Sequence, residues 1–261
     1  MNKQALFDNS SLVYDEVFTN SLVGKAQRKQ VWHWLKKVSR PKVKVLELNA
    51  GTGEDAVFML EQGCEVVVTD VSEGMLQVAK HKIGDNSKAQ FLTVDFSQPE
   101  TLPAEAFDVV FSNFGGLNCL SATQLTNLSA PLANRLVAGG RLIVVLMTNN
   151  CLWEKAYFLL KGKWQKLNQR LTKEPLLITV DGTVVPTYFY STNQIKQFFE
   201  SHFHCVKVKP IGLLTPPSYL NKLMVKLGVL GKLMLLLDVY LTRLSWFANS
   251  ADHVYLEFEK K

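Results

Sequence analysis

Between residues 43 and 147 short apolar runs alternate with amphipathic stretches. The runs around residues 43–48, 66–70, 91–96, 107–114 and 139–147 are dominated by Val, Leu, Ile and Phe. The stretches between them carry apolar residues at helical spacing. That alternation predicts a largely parallel sheet with helices on both faces. Ahead of it, Leu22, Val23, Ala26, Val31, Trp34, Leu35 and Val38 predict a helix over residues 20–38, ended by Pro41. Ser72 sits where an N-cap belongs, before Met75, Leu76, Val78 and Ala79.

Beyond Met147 the pattern changes. Residues 149–191 read as an insertion with an aromatic helix (Leu152, Trp153, Tyr157, Phe158, Trp164), then a hairpin turning at Asp181-Gly182. Residues 192–200 predict a helix, 203–209 a strand, and 252–258 an alternating, half-exposed strand. Between those strands residues 210–248 open on Pro216-Pro217 and become Leu-rich. Gly228 and Gly231 predict a break into two helices. Lys222, Lys226, Lys232 and Arg243 would share an arc of about 120° on one continuous helix. The first expectation for this segment is a helical pair that buries its Leu face on the sheet or on a second copy. The alternative is contact with an anionic surface.

The candidate chemistry sits at the strand ends. Glu47 closes the first run, and Gly51 and Gly53 follow it, with Asp70 ending the second run. Glycines let backbone approach a ligand closely, and an acid at the second strand tip can accept from both hydroxyls of a ribose. Gly51-x-Gly53-x-x-Ala56 also fits a dinucleotide fingerprint. A pyrophosphate would be repelled by Glu47, however, whereas a cationic ligand would be attracted. S-adenosylmethionine carries an α-amino group and a sulfonium, so the acid favours it.

The segment Glu47-Leu48-Asn49-Ala50-Gly51-Thr52-Gly53 resembles motif I of class I S-adenosylmethionine-dependent methyltransferases, with Asn49 in place of the first glycine. Asn adopts left-handed backbone angles more readily than other non-glycine residues. The resemblance continues through Asp70-Val71-Ser72 with Met75, through Asp95-Phe96 at the third strand, and through Asn113-Phe114-Gly115-Gly116 after the fourth. It is similar to the small-molecule, ubiquinone-biosynthesis (type 11) group.

It implies an α/β, doubly wound, seven-stranded, mostly parallel sheet of the Rossmann-like methyltransferase kind. The last strand is antiparallel, and helical and hairpin insertions form a substrate cap. One domain would span residues 1–261: an N-terminal helical segment at 1–42, a cofactor core at 43–148, and cap insertions at 149–191 and 210–250. The cofactor residues implied are Tyr14, Arg28, Glu47, Asn49, Gly51, Asp70, Val71, Met75, Asp95, Phe96 and Asn113. Among them, Asp70 would hold the ribose, Asp95 the adenine amino group, and Tyr14 and Arg28 the methionine carboxylate.

No catalytic side chain is assigned. Methyl transfer rests largely on alignment and needs a base only where the acceptor must lose a proton. His33 and His253 are the candidates for that role. Three classes stay open: a methyltransferase for a small acceptor, an NAD(P)-dependent oxidoreductase, and a non-catalytic nucleoside-binding protein. Glu47 speaks against the second, and the three acids Glu47, Asp70 and Asp95 speak against the third.

Composition narrows the picture further. With 261 residues, 47% of them hydrophobic, the chain can build one α/β core with elaborations. Cys64, Cys119, Cys151 and Cys205 form no Cys-x-x-Cys pair, and His202-x-His204 lacks a third ligand. No metal site is therefore expected, and a reducing cytoplasm is. Asp8, Asp15 and Glu16 interrupt residues 1–20, so no signal peptide is expected there. The net charge of +6 is uneven: residues 25–44 hold eight Lys/Arg and no acid, and residues 202–248 hold six against Asp238 alone.

Asn113-Phe114-Gly115-Gly116 is not the Asn/Asp-Pro-Pro-Tyr/Phe sequence that grips a base, and no appended basic–aromatic module is present. Both observations argue against nucleic acid as substrate. The aromatic and Leu-rich insertions point instead to a small lipophilic or aromatic acceptor. Peripheral contact with an anionic membrane, and a monomer or homodimer, complete the expectations.

Overall fold

The computed structural model describes residues 14–180 and 183–261. Residues 1–13, which include Asp8, and the Asp181-Gly182 turn lie outside the described residues.

Nine strands and eight α-helices follow one another along the described chain. The strands are β1 (Lys44–Glu47), β2 (Glu65–Asp70), β3 (Ala89–Thr93), β4 (Phe107–Ser112), β5 (Leu136–Met147), β6 (Leu176–Val180), β7 (Thr183–Thr187), β8 (Phe203–Ile211) and β9 (His253–Lys260). The helices are α1 (Leu22–Leu35), α2 (Glu54–Glu61), α3 (Glu73–Ile83), α4 (Ala122–Asn134), α5 (Leu152–Leu160), α6 (Thr192–Phe199), α7 (Asn221–Lys226) and α8 (Gly228–Leu241).

Seven strands form one sheet in the order β3-β2-β1-β4-β5-β9-β8. The first five run parallel, and β9 is antiparallel to both β5 and β8. This is the Rossmann-like arrangement the sequence implies, and its order reverses beside β1, between β1 and β4. Ligands of such sheets sit outside the strands' carboxyl ends at that point.

Buried strand residues alternate between two cores, as the two-residue period of a strand requires. Leu46, Val67, Val110, Leu142, Val144 and Leu256 point to one face, where α4 and α6 cover them. Val45, Val66, Val68, Val109, Ile143 and Tyr255 point to the other, under α1, α2 and α3. Continuous apolar runs are therefore what this sheet needs, because both faces are dry. The Gly139-Gly140 pair lies where β5 bulges away from β4: register jumps from Phe107↔Leu136 to Val109↔Arg141.

Local signals hold at the helix starts. Ser21 accepts from the Gly24 N–H, and Ser72 from the Met75 N–H. Ser121 with Gln124, and Ser191 with Gln194, form reciprocal capping boxes. Before α1, Asp15–Thr19 forms a single π-helical turn.

The third strand stops at Thr93 instead of running into Asp95. The Val94 N–H still reaches the Asp70 carbonyl, and the chain then turns as Asp95 accepts from the Ser97 N–H.

Residues 210–248 do split in two, between α7 and α8, with Gly228 at φ 55°. Their Leu face does not lie on the sheet. Only Gly231 and Asp238 of α8 are buried, and the leucines point outward. The cause is a polar demand: Asp238 takes N–H groups from Leu213, Leu214 and Thr215 and the Gln30 amide, so the helix docks by its acid.

Candidate functional site

Glu47 ends β1 with its neighbours in place on both sides, Val68 of β2 and Phe111 of β4. Its side chain is 1% exposed, and its Oε2 has no hydrogen-bond partner. Burial, reinforced by Asp55 and Asp70 and only partly relieved by Arg28, pushes this carboxyl well above its ordinary value of 4.5. A buried acceptor without a donor is costly, and at a sheet's carboxyl edge it marks a place for a ligand's donor or positive charge.

The glycine loop is tied to the second strand tip. The Gly51 N–H donates to Asp70 Oδ2 at 2.9 Å, and the Ser72 N–H donates to Asp70 Oδ1 at 2.9 Å. Gly51 sits at φ 54° with open space where a Cβ would be, so its backbone is accessible to a ligand. Gly53, at φ 81°, packs instead against Ala79 of α3, where a Cβ would come within 2.8 Å of the alanine methyl.

Asn49 occupies the room that the first motif glycine would leave. Its Oδ1 accepts from Ser112 Oγ at 2.5 Å, and its Nδ2 donates to the Asn113 carbonyl at 2.5 Å. The space for it comes from Gly116, where a Cβ would stand only 2.4 Å from the Asn49 side chain. Asn49 thus cross-links the ends of β1 and β4.

The centre of the cleft is a buried network that the sequence reading passed over. Asp55, in the first turn of α2, accepts from Arg28 Nη1 at 2.6 Å, Trp32 Nε1 at 2.6 Å and Asn113 Nδ2 at 2.8 Å. Burial works against the Arg28 cation, but Asp55 foremost among its neighbours overcomes that and raises its pKa. Arg28 Nε is left without a partner. The guanidinium lies over the rings of Phe18 and Phe114, 5.9 and 5.3 Å from their centroids. Phe114 is held at φ 42°, a left-handed conformation rare for a bulky residue, and Gly115 at φ 82° carries the turn onward. The one local signal for Asp55 was an acid directly after Gly-x-Gly; its partners are 23 to 58 residues away.

Tyr14, Arg28, Asn49, Gly51 and Asn113 line one cleft with Ala50, Thr52, Glu54, Asp55 and Phe114. Glu47 lies buried at the end of β1, and Asp70 beside the loop. Met75 is buried at the start of α3, and Val71 is half-buried between Asp70 and Ser72. Asp95 and Phe96 are not among the cleft's lining. Asp95 accepts from Ser97 and Gln98, and Phe96 packs on the sheet.

The cleft is narrow because the turn before α1 lies across the loop. Asp15 accepts from Thr52 Oγ1 at 2.5 Å and pairs with Lys82 at 2.8 Å, and Lys82 also holds Glu54. Burial pushes the Tyr14 phenol up to about 12, with Arg28 opposing. The donor set is therefore acid-rich and dry, with one aromatic-stacked cation. It suits a ligand carrying both an amine and hydroxyls.

Against Phe114 stands His253, the first residue of β9, edge-on at 5.2 Å between centroids. Its Nδ1 lies 3.1 Å from Asp252 Oδ2. Burial raises the Asp252 pKa, but His253 and Arg170 outweigh it and hold the carboxyl well below its ordinary range. Arg170 bridges Asp252 at 2.9 Å and Glu154 at 2.8 Å, and the Tyr219 hydroxyl donates to Glu154 at 3.0 Å. Both insertions thus meet the sheet edge beside the cleft. His33, by contrast, is exposed on α1, where slight burial, Lys37 and Arg243 lower its pKa. Among the described residues no group of three or more His, Cys, Asp or Glu is placed to hold a metal ion. A larger groove, about 530 Å³, runs along edge strand β8 past Lys196, Lys207 and Trp246.

Residues 45–140 match the family model described as "Methyltransferase domain". A demethylmenaquinone methyltransferase of Clavibacter sepedonicus is 30% identical over 142 residues, 54% of this chain and 56% of that protein. A non-reducing polyketide synthase, nvfA, of Aspergillus novofumigatus is 29% identical over 177 residues, 61% of this chain but 8% of the synthase. The chain therefore spans just over half of the first of these relatives and a small part of the second. Among solved structures, a DhpI–SAH complex superposes with a TM-score of 0.64 at 14% identity, covering 98% of this chain and 95% of that one.

Proposed function

We propose that this chain, a member of the class I S-adenosylmethionine-dependent methyltransferase family through residues 45–140, transfers a methyl group from S-adenosylmethionine to a small lipophilic or aromatic acceptor. The observation that carries the cofactor is Glu47 Oε2, buried and unpartnered at the end of β1. The pyrophosphate of a dinucleotide has no proton to give this oxygen and would be repelled once it ionises, whereas the α-amino group of S-adenosylmethionine supplies donor and charge together. Bound here, the cofactor supplies an electrophilic methyl on a sulfonium.

The protein's own residues then have defined tasks. Asp70 fixes the Gly51 turn and presents its carboxylate edge to the ribose. Asn49 and Asn113 lock the β1 and β4 ends together, and Arg28 faces the cofactor's carboxylate through Nε. Closure of the Asp15–Thr19 turn excludes water from the cleft. For an acceptor that must lose a proton, His253 is the base, its Nδ1 lying 3.1 Å from the Asp252 carboxylate.

The acceptor class rests on three supports. The insertions that meet the cleft are rich in aromatic and Leu residues. Asn113-Phe114-Gly115-Gly116 lacks the base-gripping prolines, which speaks against nucleic acid. The relatives include one named for demethylmenaquinone and one for polyketide synthesis.

Parallel calorimetric titrations with S-adenosylhomocysteine and NADH test the cofactor. Saturable binding of the first alone, abolished in Asp70→Ala, is expected; NADH binding alone sinks the reading. For the base, His253→Asn is expected to lower kcat at least tenfold on an acceptor that must lose a proton, while leaving S-adenosylhomocysteine affinity intact. An unchanged kcat removes His253 from the mechanism.

A further inference from the structure

Helix α8 is mounted the wrong way round for a core helix. At 100° per residue, Val229, Leu233, Leu236, Leu237 and Tyr240 share an arc of about 100°, and all five are exposed, Val229 by 85% and Leu236 and Tyr240 by 66% each. Asp238 and Gly231 occupy the opposite side and are the helix's buried residues. Asp238 is fully buried and saturated by Gln30 and three backbone N–H groups, so this orientation is built in and not a loose packing choice. Immediately after the helix, Trp246 is 90% exposed and Phe247 about half that. The result is a contiguous apolar ridge of a kind that soluble surfaces rarely leave open.

Cations frame the ridge. Lys222, Lys226, Lys232 and Arg243 are exposed on the same segment, whose one acid is the inward Asp238. Arg243 and Lys37 both act on His33, and Lys37, Lys207 and Lys209 crowd one another closely enough to lower the Lys209 pKa, after slight burial. Among the described residues, neither Lys37, Lys209 nor Arg243 forms a salt bridge with an acid. Leu, Trp and Tyr on one side with Lys and Arg at the flanks, and no acid showing, is the composition of a helix that lies in the headgroup region of an anionic bilayer.

We propose that α8, with residues 245–247, seats the protein on anionic membrane surfaces, its apolar ridge among the acyl chains and its basic rim on lipid phosphates. A second copy is the poorer occupant, because a two-fold contact would set the same cationic rim against itself. No described helix is long and apolar enough to cross a membrane, so the contact is peripheral. The inference does not depend on methyl transfer. It would, however, place the cleft next to the phase in which a lipophilic acceptor dissolves, since α1 carries both Gln30, which holds Asp238, and Arg28, which lines the cleft.

Co-sedimentation with vesicles of phosphatidylcholine and phosphatidylglycerol in equal parts, against pure phosphatidylcholine, tests it. The wild type is expected to bind the anionic vesicles at least tenfold better and to release in high salt. Leu236→Glu with Tyr240→Glu is expected to cut that binding at least tenfold. Lys232→Gln with Arg243→Gln is expected to cost roughly fivefold per cation. These side chains are exposed, so the thermal midpoint and S-adenosylhomocysteine affinity should stay at wild-type values, which separates this test from the cofactor reading. Wild-type and Leu236→Glu/Tyr240→Glu proteins that sediment alike overturn the proposal. A dimer that the same variant breaks, with no vesicle binding, overturns it in favour of a second copy.

Discussion

Two kinds of buried acid in this molecule are treated in opposite ways. Beneath the cap, Asp238 receives four donors, and Asp252 receives Arg170, Gln27 and the neighbouring His253. At the end of β1, Glu47 is equally buried and one of its oxygens receives nothing. Burial drives the Asp252 and Glu47 carboxyls toward the neutral form. At Asp252, His253 and Arg170 reverse that, and the cap acids tie loops, helices and sheet together. In the cleft the penalty stands, and Glu47 is held above its ordinary pKa. A saturated acid is a structural clamp; an unsatisfied one at a sheet's ligand edge is kept for something outside the chain.

The sharpest way to break the comparison is Arg170→Met, which removes the clamp's cation. Glu154 and Asp252 then stay buried without their shared cation, keeping Tyr219, Gln27 and His253 among their partners, and a loss of about 3 kcal/mol is expected in denaturant unfolding. The acid limb should change as well. In the wild type Asp252 contributes stability above its ordinary 3.8, lost as pH falls through its lower folded value. The variant forfeits that contribution at neutral pH. Equal midpoints for the two proteins would show that the network carries no stability.

Glu47→Gln should behave in the contrary sense. Its folded pKa is raised, so Glu47 costs nothing below pH 4.5, and stability falls as pH rises from there through the folded value. The variant is therefore expected to be more stable than the wild type at pH 8 and to lose S-adenosylhomocysteine affinity by roughly 10- to 100-fold. In the wild type, that affinity should climb with pH over the same window as Glu47 ionises to meet the amine. A Glu47→Gln protein that is less stable yet binds normally would make Glu47 a clamp like the others.

A smaller effect is expected where Asn49 meets Gly116. Gly116→Ala places a methyl against the Asn49 side chain at 2.4 Å and should cost about 1–3 kcal/mol. Asn49→Gly in the same chain should restore most of it, giving a coupling well above experimental scatter. Additive losses would mean that the two residues do not share the space.

Much of the cleft was legible because its parts are local. Glu47, Gly51 and Asp70 lie within one strand–loop–helix–strand unit, and backbone geometry alone carries them to one edge. Asp55 illustrates the limit. It stands in plain view after Gly53, but its partners Arg28, Trp32 and Asn113 arrive from distant elements, and no periodicity announces an ion pair formed between two helices. Asp252 and Arg170 are 82 residues apart and were equally silent.

The sequence by itself determined the parallel core through its apolar alternation, Glu47 and Asp70 at their strand ends, and, through Gly228 and Gly231, the break between α7 and α8. Each follows from chain geometry over a few residues. Which side of α8 faces the protein was decided only by tertiary structure. A helical stripe shows that a helix is two-sided, not which side is inside, and here hydrogen bonding to one buried carboxylate outweighed the burial of five apolar side chains. The narrowness of the cleft was likewise decided by tertiary structure, since it depends on Asp15 meeting Thr52 and Lys82 across sequence distances that no local pattern spans.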